Sequence, residues 1–222
     1  MKKRILTLAL AFIMLALTGC YQDGELTENG FIDPNTDIEY VEVTPMGLYP
    51  IRPEEEYLTV DSGDDEILYY AVQFEDAKKF LCYEIESNYF LVRATTVKEP
   101  TVSEFNPIAA TIYNSSNTKA IDSFYADVEY LPEDKKDELT EGETDLCKQI
   151  AKAITEGDAV ELNIQYDDLD SLYYIRLLSK DYPGLYYLVS YFKYNGRCFI
   201  RDDALGRTVY CPNDVIVRMG GY

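Results

Sequence analysis

The sequence predicts an α+β fold: antiparallel sheet with a C-terminal meander and at least one packed helix. Three observations carry that expectation. Runs rich in Tyr, Phe, Leu and Val recur from residue 66 onward, each bounded by turn-forming residues, as strands require. Asn195-Gly196 joins two such runs, and this pair suits the positive φ values of a two-residue hairpin turn. Between the runs, Leu146, Ile150 and Ile154 recur every four residues, the spacing of a helix with one apolar face.

The chain opens with Lys2, Lys3 and Arg4, then an apolar stretch from Ile5 to Leu17 interrupted only by Thr7, then Leu17-Thr18-Gly19-Cys20. A charged start, a short apolar core and a small-residue cleavage site are the parts of a secretory signal. The apolar run is shorter than the roughly 20 residues needed to span a bilayer. Residues 1–20 resemble the signal peptide and lipobox of bacterial lipoproteins. The resemblance implies that residues 1–19 are removed and that Cys20 carries a diacylglyceryl group on its sulfur. It also implies an outward-facing protein on a bacterial membrane: the outer leaflet of the plasma membrane, or the outer membrane of a two-membrane envelope. Two acyl chains make such anchoring stable where one is marginal.

Residues 20–53 read as an acidic tether containing Pro34, Pro45, Pro50 and Pro53, with no basic residue before Arg52. A flexible chain of that length reaches about 30 Å. The folded domain is expected over 54–222, with 54–131 and 132–222 as two β-rich halves. In the first, Glu66–Phe74, Lys79–Glu86 and Tyr89–Val97 read as strands, residues 98–120 are ambiguous, and Phe124, Ala126, Val128 and Tyr130 alternate as another strand. Pro132 opens a short helix. Thr140 and Glu143 form a capping box before the Leu146–Ile154 helix, which Gly157 ends.

In the second half, Val160, Leu162, Ile164 and Tyr166 alternate with polar residues as a half-buried strand would. Leu172–Leu178 and Leu185–Tyr194 flank a Pro183-Gly184 turn. The Asn195-Gly196 turn pairs Tyr194 with Arg197, Phe192 with Phe199 and Tyr191 with Ile200. A four-residue loop over Asp203–Gly206 then sets Asp202 against Arg207, Ile200 against Val209 and Cys198 against Cys211. Directly opposed residues have Cβ atoms about 4.5–5.5 Å apart, close to what a disulfide requires, so Cys198–Cys211 is the candidate bridge of an exported protein. Cys82 and Cys147 have no such local alignment. Leu68-Tyr69-Tyr70 and Leu172-Tyr173-Tyr174 give a faint self-similarity between the halves.

Composition excludes several chemistries. There is no histidine, so Ser-His-Asp and Cys-His systems and His-ligated zinc are out. Loss of residues 1–19 removes Lys2, Lys3 and Arg4 and leaves 17 basic against 40 acidic residues. That charge repels nucleic acid and favours a basic partner. Ser116-Asn117-Thr118-Lys119 has the S-x-x-K spacing of penicillin-binding proteins, without their companion S-D-N and K-T-G motifs. Asp61–Glu66 and Asp167, Asp168, Asp170 read as acidic turns rather than cation loops. No catalytic set, metal set or cofactor motif emerges. The expectation is a lipid-anchored, extracytoplasmic accessory or binding protein, with the membrane as partner through Cys20 and a protein, peptide or glycan as ligand. The alternatives are a histidine-free, carboxylate-based glycan hydrolase, or an acidic inhibitor or immunity protein that captures a basic partner.

Overall fold

Two antiparallel sheets pack on each other around a common core in the computed structural model, which describes residues 23–63, 65–125 and 146–220. The expected signal peptide, Cys20, and the strand, helix and capping box expected at residues 126–130, after Pro132 and at Thr140/Glu143 lie outside the described residues. Among the described residues no helix is long and apolar enough to cross a membrane.

In spatial order the first sheet is β1 (Glu25–Leu26), β2 (Gly30–Asp33), β3 (Ile38–Glu42), β8 (Asn88–Ala94), β7 (Phe80–Ile85), β6 (Glu66–Val72) and β5 (Pro53–Asp61). Its two ends meet. The Gly24 amide donates to the Thr59 carbonyl at 2.7 Å, and Gly24 forms a parallel bridge with Val60, which closes the sheet into a barrel. Phe31, Tyr40, Leu58, Val60, Tyr69, Leu81, Val92 and Ala94 fill its interior. Phe31 lies between Tyr40 and Tyr69, at ring-centroid distances of 5.1 and 4.2 Å. The Tyr40 hydroxyl donates to the Ala77 carbonyl at 2.7 Å, which satisfies the polar end of a buried ring.

The expected tether is therefore corrected: its residues from Gly24 to Pro50 supply β1–β3 and β4 (Leu48–Pro50). Their acids point outward, with one exception. Asp33 is buried and closes the β2–β3 turn, accepting from the Thr36 hydroxyl at 2.6 Å, the Asn35 amide at 2.9 Å and the Tyr57 hydroxyl at 3.1 Å. Burial alone would raise its pKa, but these donors outweigh it and hold the carboxyl below the ordinary value. Close approach of β2 to β3 requires Gly30, because a Cβ there would sit 1.9 Å from the Tyr40 carbonyl oxygen.

The second sheet runs β10 (Ala120–Tyr125), β9 (Ala109–Tyr113), β11 (Ser171–Leu178), β12 (Leu185–Tyr194), β13 (Arg197–Asp202) and β14 (Arg207–Tyr210). β4 pairs with the first residues of β12, and β13 with its last. The division at residue 131 does not hold, since β4, β9 and β10 precede it yet belong to this sheet. The faint self-similarity does not extend to register: Tyr69 faces Tyr83 in the first sheet, whereas Tyr173 faces Tyr191 in the second. The C-terminal registers are as the turns dictate, with Phe192 opposite Phe199, Tyr194 opposite Arg197 and Ile200 opposite Val209. Asn195 and Gly196 have φ values of 50° and 71°, as the type I′ turn demands.

The strand expected at 160–166 does not form. Its alternation survives, with Val160, Leu162 and Ile164 half-buried and Glu161, Asn163 and Gln165 exposed. The backbone, however, leaves the edge of β14 after an Ala159–Val209 bridge and crosses the outer face of the sheet. Before it, α1 (Leu146–Glu156) buries Leu146, Cys147, Ile150, Ala151 and Ile154. The Arg207 guanidinium caps its end through the Ile154 and Gly157 carbonyls, at 2.6 and 2.5 Å. A short α2 (Asn213–Met219) follows β14.

Barrel closure predicts a stability effect that a tether would not show. Phe31→Ala should lower the free energy of unfolding by about 3–5 kcal/mol, the cost of truncating a fully buried phenylalanine. Denaturant titration of the full chain measures it. A change within about 0.5 kcal/mol, typical of an exposed position, would contradict the barrel.

Candidate functional site

Strand alternation gives the second sheet an inner and an outer face. Ile175, Leu177, Val189, Tyr191, Ile200 and Val209 point into the shared core. Leu172, Ser190, Phe192, Phe199 and Arg201 take the opposite face. The pairings read from the turns put Phe192, Phe199, Arg197 and Arg201 together on that face and Tyr191, Ile200, Val209 and Cys211 on the buried inner one, as observed. Phe192 and Phe199 are each 2% exposed, so both faces are covered. The cover over Phe192 is the crossing segment of residues 159–169. It is pinned at its start by the Val160 amide on the Thr208 carbonyl, 2.8 Å, and just past its end by the Asp170 amide on the Lys193 carbonyl, 2.8 Å.

Under this segment lies a cleft of about 200 Å³. Ile164, Leu169, Leu172 and Phe192 make its apolar wall, and Ser190, Arg201 and Asp203 its polar one. The Asp203 carboxylate is held on both oxygens. The Ser190 hydroxyl donates to one, and Arg201 Nε lies 2.7 Å from the other. The Asp203 side chain is 6% exposed and that of Arg201 39%, so the guanidinium edge reaches solvent while the carboxylate does not. Ser190 donates to the carboxylate that Arg201 pairs, so the trio orients the hydroxyl and balances the buried charge.

Two aromatic rows flank the cleft. On one side Phe192, Phe199 and Tyr210 stack at 5.5 and 5.2 Å, ending on a half-exposed Tyr210 that accepts from Arg197 at 3.2 Å. On the other, the Arg176 guanidinium lies between Tyr113 and Tyr186, 3.9 and 4.7 Å from their centroids, and Tyr49 stacks on Tyr186 at 5.4 Å. Burial pushes the Tyr186 pKa up to about 12. Asn117 fixes Arg176 through its side-chain and main-chain oxygens, at 3.1 and 2.9 Å.

That contact explains the S-x-x-K segment structurally. Ser116–Lys119 is the β9–β10 turn, wound around the Asn114 side chain, which accepts from the Thr118 and Lys119 amides. The acidic segments are turns as well: Asp61 accepts from the Gly63 amide, and Asp168 from the Gln165 amide. Among the described residues no group of three or more Cys, Asp or Glu is placed to hold a metal ion. Each of five cavities on the described surface has a single carboxylate in its wall.

The cysteines keep their expected register but not the expected bond. The Cys211 amide donates to the Cys198 carbonyl at 3.0 Å, yet Cys82, Cys147, Cys198 and Cys211 are all thiols. Each sulfur of the proposed Cys198–Cys211 pair has another partner: the Tyr191 hydroxyl donates to Cys198 at 3.2 Å, and the Cys211 thiol to the Pro212 carbonyl at 3.6 Å. Burial pushes the Cys82 thiol up to about 12 and Cys211 further, so neither is a nucleophile near neutral pH.

Sequence reasoning missed Ser190 and Asp203. Asp203 read only as the first residue of a loop, and nothing in the pattern told that segment 159–169 would cross above it. No protein-family model matches the chain, and searches of the curated proteins and of the solved structures found no match.

The loop carrying Asp203 depends on its neighbour Asp202, which points into the core and accepts from the Tyr187 hydroxyl at 2.7 Å and the Leu205 amide at 3.1 Å. Burial raises the Asp202 pKa above its ordinary value of 3.8. Protonation is thus favoured in the folded state, and the stability it contributes is full below 3.8 and lost as pH rises through the raised value. Tyr187→Phe removes a donor to the charged form and should cost about 1–3 kcal/mol at neutral pH. The penalty should shrink as pH falls and Asp202 becomes neutral. Chemical denaturation at several pH values tests this; a pH-independent penalty would contradict the assignment.

Proposed function

We propose that this chain is a lipid-anchored, extracytoplasmic binding protein that engages a protein or peptide partner at the cleft beneath segment 159–169. Cys20 supplies the anchor, on the strength of the lipobox resemblance. The cleft carries the binding reading. At about 200 Å³ it is smaller than the 300 Å³ or more usual for a whole small-molecule ligand, and it suits a single side chain anchored from a larger partner. One of its walls is apolar, the one carboxylate in the other is already neutralised, and aromatic residues flank it on both sides. The acidic surface of the mature chain steers a basic partner toward it, which makes association salt-sensitive. A glycan hydrolase would need two facing carboxylates in one cleft, and the cleft has one.

Photo-crosslinking on cells tests both halves of the reading. The full chain should incorporate labelled fatty acid and partition with membranes, and Cys20→Ala should do neither. A photoreactive side chain at Leu169 should give a discrete protein adduct that fades as ionic strength rises, with no such adduct from Glu54 on the barrel. No adduct at Leu169, or the same adducts from both positions, overturns the binding site. Fatty-acid incorporation that persists in Cys20→Ala overturns the anchor.

A further inference from the structure

The barrel begins almost where the lipid would end. Gly24 is fixed in the barrel wall by its 2.7 Å hydrogen bond to Thr59, and a Cβ on it would lie 2.7 Å from Val60 Cγ2 and 2.9 Å from Leu58 Cδ1. Four residue steps separate Cys20 from Gly24. At 3.3–3.6 Å per residue, four steps span at most about 14 Å. A 30-residue tether would have allowed about 30 Å on average and far more at full stretch.

We infer that the lipidated chain holds its barrel against the membrane surface, with the wall around Gly24 facing the lipid headgroups. The inference rests on the lipoprotein reading of Cys20. The facing surface includes Glu25 and Leu26, both exposed on β1, and Asp61 at the end of β5. Leu26 is 51% exposed and is the apolar contact available to the interfacial layer. The acids beside it make the contact one for neutral or zwitterionic headgroups, since anionic ones are repelled. The short linker, rather than charge attraction, provides the proximity.

This placement limits what the protein can reach. A folded unit of about 200 residues is roughly 45 Å across, so its whole surface lies within about 60 Å of the bilayer. The partner of the cleft must therefore be a membrane protein, or one that comes to the membrane, rather than a component of distant wall layers.

The test uses the lipidated full chain in phosphatidylcholine vesicles carrying a short-range nitroxide quencher on the headgroup, with a fluorescent residue at Glu25. A second form carries about twenty Gly/Ser residues inserted between Gln22 and Asp23, which extends the average reach to about 25 Å. Quenching should be strong in the native-length chain and fall about tenfold with the insertion, following the dilution of a longer linker. Equal quenching in the two forms, whether weak or strong, overturns the inference. Co-flotation of the chain with the vesicles is scored separately: a chain that does not float has no lipid, and that result rejects the anchor instead.

Discussion

The bridge between Gly24 and Val60 turns an open seven-stranded sheet into a barrel by joining the edges of β1 and β5. Closure gives Phe31 and Tyr40 an interior to fill, and those rings in turn hold β2 and β3 against β8. Without it, Thr59 and Val60 would lie at an open sheet edge, and the interior face of β6–β8 would be open on that side. The tightness of the closure is visible at Gly24 and Gly30, where the approaching wall leaves no room for a side chain.

β7 and β8 carry the consequence to the second sheet. Along β7, Leu81 points into the barrel while Phe80 and Cys82 point into the core shared with the second sheet; along β8, Val92 and Leu91 do the same. These strands are buried on both faces, so the barrel and the second sheet stabilise each other and the chain has one continuous fold rather than two halves. The outer face of the second sheet takes no part in that shared core, and segment 159–169 converts part of it from a flat surface into a cleft.

The hairpins of residues 185–211 were legible because turn chemistry and register agree: Asn195-Gly196 dictates the pairing, and Gly206, with φ 62°, completes the next loop. α1 was legible from Leu146, Ile150 and Ile154. The barrel closure was not. β2 and β3 are four and five residues long, each with one large ring on its buried side, too little to show a period of two among so many acids. The prolines that suggested a tether sit where sheets tolerate them, Pro50 as the last residue of β4 and Pro53 as the first of β5. The cleft was half legible. Register alone put Arg201 beside Phe192 and Phe199, but alternation at 160–166 describes a segment lying over a sheet as well as one paired within it.

Backbone amide exchange in the native full chain reaches the closure most directly, because it reads the hydrogen bonds that make it. With the barrel closed, the amides of Gly24, Phe31 and Tyr40 should exchange as slowly as those of Leu81 and Val92, in one cooperative unit. Exchange of residues 24–42 at the rate of an unstructured peptide, with β7 and β8 still protected, would show that the segment is a tether after all and that the barrel does not close.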